Sequence, residues 1–218
     1  MAQPSIQTKQ QGRTMQLVEQ HLLRKGDPRF ACVDQAAFAA KNLYNAANYL
    51  VRQSFIFQGE YLNYYAMHAQ MKGHETYQAL PRKVSQQVLR MLDKNWQGFF
   101  KAMKAYRADP SKFRKKPGLP HYLDKTDGRY VLVYTVQALS KPALKRGVIV
   151  PSELAIELPT KQTRIAQVRQ QRYSPAPSNA AGLFAIAPIS MRSVMAIVPF
   201  LIAFYRLVSR SIAFYSLL

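Results

Sequence analysis

Residues 80–110 read LPRKVSQQVLRMLDKNWQGFFKAMKAYRADP, and their spacing decides how the chain is organised. Val84, Val88, Leu92, Trp96, Phe99, Met103 and Tyr106 recur at intervals of three and four, so a helix gathers them into one apolar stripe. Trp96, Phe99 and Tyr106 therefore read as core. Pro81 suits the first helical turn, where its missing N–H costs nothing, and Pro110 sets a limit the helix cannot comfortably pass. Lys83, Arg90, Lys94, Lys101 and Lys104 lie away from much of the stripe. One element thus offers a core on one side and cations on the other.

Upstream, residues 33–57 (VDQAAFAAKNLYNAANYLVRQSFIF) place Ala39, Leu43, Ala46 and Leu50 on one helical face, and the many alanines favour helix and close backbone approach. A shorter, tyrosine-rich helix follows within 59–73, ending near Gly73. Its Tyr61, Tyr64 and Tyr65 have two readings, stacking on bases or filling a bundle interface. Before these helices, 14–30 alternates in part, with Met15, Leu17 and Glu19 on one side, and predicts a strand closed by the turn at Gly26, Asp27 and Pro28.

Downstream the texture changes. Lys112, Arg114, Lys115 and Lys116 surround Phe113 and precede Pro117, Gly118 and Pro120, which predicts an extended basic loop that contacts phosphate. For any single lysine of the long helix a solvated surface is the simpler reading. Residues 129–136 (RYVLVYTV) are β-branched and aromatic, and 146–151, 154–159 and 164–170 read as further short strands between proline-containing turns. The expected fold class is α+β. A small β-barrel-like module, residues 15–30 and 111–170, is interrupted by a helical bundle, residues 31–110, with 1–14 as a disordered start.

The chain of 218 residues carries 31 Lys and Arg against 11 Asp and Glu, a net charge of +20, and is drawn to polyanions by counterion release. Charge alone does not separate nucleic acid from anionic lipid. Cys32 is the single cysteine, so there is no internal disulfide and no C-x-x-C zinc pair, and it reads as a buried thiol. His21, His68, His74 and His121 fall in no His-x-x-x-His pairing, and Asp124 and Asp127 sit in an ordinary Asp-Gly turn, LDKTDGR. Glu153 and Glu157, an even number apart, face water together. No nucleophile, base and orienting acid come together, so the chain is expected not to be an enzyme. The first residues hold neither a secretory apolar core nor an amphipathic transit helix, which makes the cytoplasm the expected location.

These segments together resemble the amino-terminal part of the transposon-encoded RNA-guided nucleases of the TnpB or OrfB type, small relatives of the type V CRISPR effectors. The matching words are AAFAAKNLYNAANYLVRQSF, LPRKVSQQVLRMLDKNWQGFFKAMKAY and SKFRKKPGLPHYLDKTDGRYVLVYT, with Leu80, Pro81, Gln86, Gln87, Trp96 and Phe99 carrying the pattern of the long helix. The resemblance covers residues 15–168. It implies a wedge barrel interrupted by a recognition bundle that grips guide RNA and the guide–target heteroduplex, with guide RNA and a DNA target as partners and no small-molecule substrate. On that reading Lys83, Arg90, Lys94, Lys101, Lys104, Lys112, Arg114, Lys115 and Lys116 are the candidate nucleic-acid-binding residues. The RuvC-like nuclease that follows in the family, with its Mg²⁺-binding carboxylates and its zinc ribbon, has no counterpart here, so no cofactor is expected in this chain.

After residue 170 the only charged residues are Arg172, Arg192, Arg206 and Arg210. The last acid is Glu157 and the last lysine Lys161. Acids and lysines vanish where the resemblance ends, so 171–218 reads as a poorly ordered hydrophobic tail from a shifted reading frame, and the protein as a truncated transposase-family remnant. The alternative is a basic peripheral or tail-anchored membrane protein using residues 193–218. The longest apolar run without charge, Ser193 to Tyr205, is 13 residues with Pro199 inside, short of the roughly 20 that a spanning helix needs.

Overall fold

The computed structural model describes residues 18–162, 165–173 and 181–187. The expected strand residues Met15 and Leu17, the start 1–14 and the segment 193–218 lie outside them. Elements follow in the order β1 (Glu19–Arg24), α1 (Phe30–Gln53), α2 (Tyr64–Met71), α3 (Glu75–Gln78), α4 (Arg82–Ala108), β2 (Leu132–Thr135), α5 (Lys141–Lys145), β3 (Val148–Ile149), β4 (Leu158–Pro159), β5 (Gln167–Tyr173) and β6 (Ala181–Ala187). The molecule is mixed helix and strand, as its alternating periodicities require.

The long helix forms where the apolar stripe places it. Pro81 is its N-cap in an extended conformation, and Ser85 ties the entry down by donating to the Tyr77 carbonyl at 2.8 Å. At the other end Asp109 leaves helical geometry and accepts from the Ser111 N–H at 3.1 Å, and Pro110 then prevents continuation. Val84, Val88, Leu92 and Trp96 are fully enclosed, whereas Phe99, Met103 and Tyr106 are half-buried, so the stripe surfaces over its last two turns.

The first helix packs differently from its periodicity. Val33, Ala37, Ala40, Tyr44, Ala47 and Val51 line its buried face, one residue on from the expected Ala39, Leu43, Ala46 and Leu50, of which only Leu43 is fully enclosed. One residue is about 100° of rotation. With alanine at so many positions, both faces are apolar enough to bury, and the neighbours decide. After Gln53 the helix widens into a π-turn, Ser54–Gln58, and stops at Gly59, whose φ of 73° is a left-handed value that suits glycine.

The strands make two antiparallel sheets rather than the expected barrel. One has the order β1-β6-β5-β2 and the other pairs β3 with β4. Among the described residues no closed barrel forms. β2 is cut short because Val136–Ala138 turns into a 3-10 helix, and the β3–β4 ladder holds only two residue pairs. Burial nevertheless alternates from Leu154 to Pro159, with Leu154, Ile156 and Leu158 inward and Glu153 and Glu157 exposed.

The larger sheet also crosses the expected boundary at residue 170. β5 continues to Tyr173, and β6 inserts between β5 and β1 with Glu19 opposite Ile186 and Gln167 opposite Ala187. A loss of charge is no obstacle to a ladder, because the ladder bonds are backbone bonds.

Candidate nucleic-acid interface

α4 advances about 100° and 1.5 Å per residue. Arg90, Lys94 and Lys101 lie 7, 11 and 18 positions beyond Lys83, so all four fall within about 20° of one straight line running roughly 27 Å along the helix. That line is opposite the enclosed Leu92 and Trp96. Lys104 lies about 60° off it. All nine expected contact residues are exposed.

The two basic groups are held in different ways. In the loop, Phe113 packs on Tyr106 with ring centroids 5.6 Å apart, and Tyr106 projects about 140° around α4 from the cationic row. Loop and row therefore do not form one strip. Lys112 is already paired with Asp109 at 3.0 Å. Among the described residues Lys83, Lys94, Lys101, Lys104, Arg114, Lys115 and Lys116 enter no ion pair.

Several acids are engaged away from the row. Asp34 holds Arg129 through two parallel bonds of 2.9 and 2.7 Å, and Asp27 holds Arg29. Asp93, buried on α4, accepts from the Tyr61 hydroxyl at 2.6 Å, the Tyr64 N–H at 2.9 Å and the Gln97 amide at 2.6 Å. Asp124 accepts from the Thr126 and Asp127 N–H groups, a local turn as expected, and the Asp127 N–H is the main reason its carboxyl sits below the usual range. A Cβ at Gly128 would strike the Asp124 carbonyl, so this turn requires glycine. None of these carboxylates forms an ion pair with a cation of the α4 row.

The three tyrosines separate. Tyr61 belongs to the bundle, packed 4.9 Å from Phe100 and 6.0 Å from Trp96, and burial raises its hydroxyl pKa. Tyr64 is half-buried beneath the Arg90 guanidinium, 4.8 Å from ring centroid to carbon. Tyr65 is 78% exposed.

One polar stripe escaped the sequence reading. Lys41, Asn45, Asn48 and Arg52, spaced four, three and four, strap the loop from Pro120 to Lys125 onto α1. Lys41 Nζ donates to the Lys125 carbonyl at 2.7 Å, Asn45 exchanges two bonds of 2.9 Å with the Leu123 backbone, and Asn48 and Arg52 both donate to the Pro120 carbonyl at 3.0 Å. Asn48 also accepts from Trp96 Nε1 at 3.1 Å, which leaves both ends of a buried amide satisfied. Burial lowers the Lys41 pKa, with the charge of Arg129 adding to the effect. The signal was in the spacing, since a polar run at helical intervals on an otherwise apolar helix needs partners.

Cys32 is half-buried and free. Among the described residues no three His, Cys, Asp or Glu side chains come together as a metal site, and no helix is long and apolar enough to cross a membrane. His68 Nε2 meets the Tyr77 hydroxyl at 3.0 Å, and His74 caps α3. No family model matches the chain, and no curated protein does.

Proposed function

We propose that this chain is a nucleic-acid-binding remnant of a TnpB or OrfB-type RNA-guided protein, a transposase-family fragment that holds RNA and leaves cleavage to a nuclease it does not carry. The observation that carries the proposal is the straight row Lys83, Arg90, Lys94 and Lys101 on the outer face of α4, none of them in an ion pair among the described residues. The loop residues Arg114, Lys115 and Lys116 offer a second, separate phosphate contact on another side of α4, and the resemblance of 15–168 supplies the rest. On this reading the helices are the recognition bundle and the strands within 15–30 and 111–170 the wedge, the partners are guide RNA and a DNA target in the cytoplasm, and residues 171–218 are an out-of-frame tail that contributes β6.

The test is binding of the full chain to structured RNA over a salt series. Four phosphate contacts give a slope of log K against log salt of about −3, and the loop steepens it. Salt-independent binding, or none, removes the proposal. Co-flotation with anionic vesicles that persists at high salt would replace it with membrane attachment.

A further inference from the structure

We infer that the α4 row takes nucleic acid as an unpaired strand, with its phosphates along Lys83, Arg90, Lys94 and Lys101 and a base stacked on Tyr65. The inference rests on the nucleic-acid reading above and narrows it to a class of ligand.

The first support is the straightness of the row. A strand of a duplex winds once around the axis in about 34–36 Å, so over the roughly 27 Å of the row it turns through about three quarters of a circle and leaves any straight line. A helix lying in a major groove meets phosphates on both flanks, whereas the cations of α4 share one line. A single strand is flexible enough to lie along that line, phosphate by phosphate.

The second support is the ring beside it. The N–H of Tyr65 donates to the Asn63 side chain at 3.0 Å, which fixes its backbone at the start of α2. Its ring stands edge-on to Tyr64 with centroids 5.2 Å apart. Tyr64 itself contacts the Arg90 guanidinium at 4.8 Å and the His68 ring at 5.8 Å, and His68 is braced by the Tyr77 hydroxyl. Tyr65 is thus a buttressed, exposed ring joined through Tyr64 to the second cation of the row. Paired bases in a duplex offer no free face to such a ring, but an unpaired base does, and stacking of this kind tolerates any base.

The experiment uses the full chain with fluorescent oligouridine, oligothymidine and a blunt duplex of the same length. Single strands bind more tightly than the duplex, and the two single-strand arms tell RNA from DNA. Tyr65→Ala weakens single-strand binding about tenfold, leaves duplex binding and the salt slope unchanged, and abolishes quenching of a 2-aminopurine placed in the strand, while Tyr65→Phe retains all three. A wild-type preference for duplex, or a Tyr65→Ala variant that binds single strands normally, overturns the inference while the row keeps its nucleic-acid role. Failure to bind any of the three ligands removes that role as well.

Discussion

The two faces of α4 are built from one stretch of chain and answer to different forces. The enclosed face carries Val84, Val88, Leu92 and Trp96 against α1, α2 and β2, with Asp93 and Asn48 satisfying the polar groups trapped there. The outer face carries Lys83, Arg90, Lys94 and Lys101 in water. Altering the first is expected to cost stability, and altering the second, on the proposed function, to cost long-range attraction for nucleic acid. A single helix can therefore separate folding from binding cleanly, and substitutions on its two sides should report different quantities.

The largest effect is expected inside. Trp96 is fully enclosed, edge-on to Phe55 at 5.4 Å and close to Phe99 and Phe100. Trp96→Ala should cost about 3–5 kcal/mol in denaturant unfolding, while the folded fraction keeps its RNA salt slope. A slope that changed with Trp96→Ala would erase the distinction between the faces.

Next comes Asn48→Ala. It strands the Trp96 N–H and releases the Pro120 carbonyl from one of its two donors, which should cost about 2–3 kcal/mol and open residues 117–125 to protease. Protease resistance equal to the parent chain would show that the strap on α1 holds without this rung.

On the outer face, Lys83→Ala, Lys94→Ala and Lys101→Ala combined should reduce the salt slope by about two to three units and leave unfolding within about 0.5 kcal/mol per site. Loss of stability instead of slope would move these lysines into the folding account. The smallest effect belongs to Lys112→Ala, because Asp109 already neutralises that ammonium at 3.0 Å. It should change the slope by less than Lys115→Ala does, and equal changes would mean that RNA displaces Asp109.

Much of the helical part was legible because a helix writes its buried side locally, every three or four residues. The stripe of α4 could be read for that reason, up to Trp96. On α1 the same method missed by one position, since alanine does not say which of two faces will be covered. The sheet was less legible for a different reason. β1 and β6 are separated by most of the chain, and nothing in residues 19–24 announces a partner at 181–187. The change of composition after residue 170 looked like an end of structure, yet β5 runs through it. Of the candidate site, the exposed cations were readable and their grouping was not. Helical phase aligned four of them, while the contact between Phe113 and Tyr106 drew the loop to another side.

The placement of β6 between β1 and β5 also sets a timetable for synthesis. β1 leaves the ribosome ahead of the helices, but its only ladder partner among the described residues is made roughly 160 residues later, about ten to thirty seconds at ordinary elongation rates. The helices can dock in that interval, because their contacts lie close in sequence. The first strand meanwhile waits as an open edge that a chaperone, or a neighbouring nascent chain, is free to occupy.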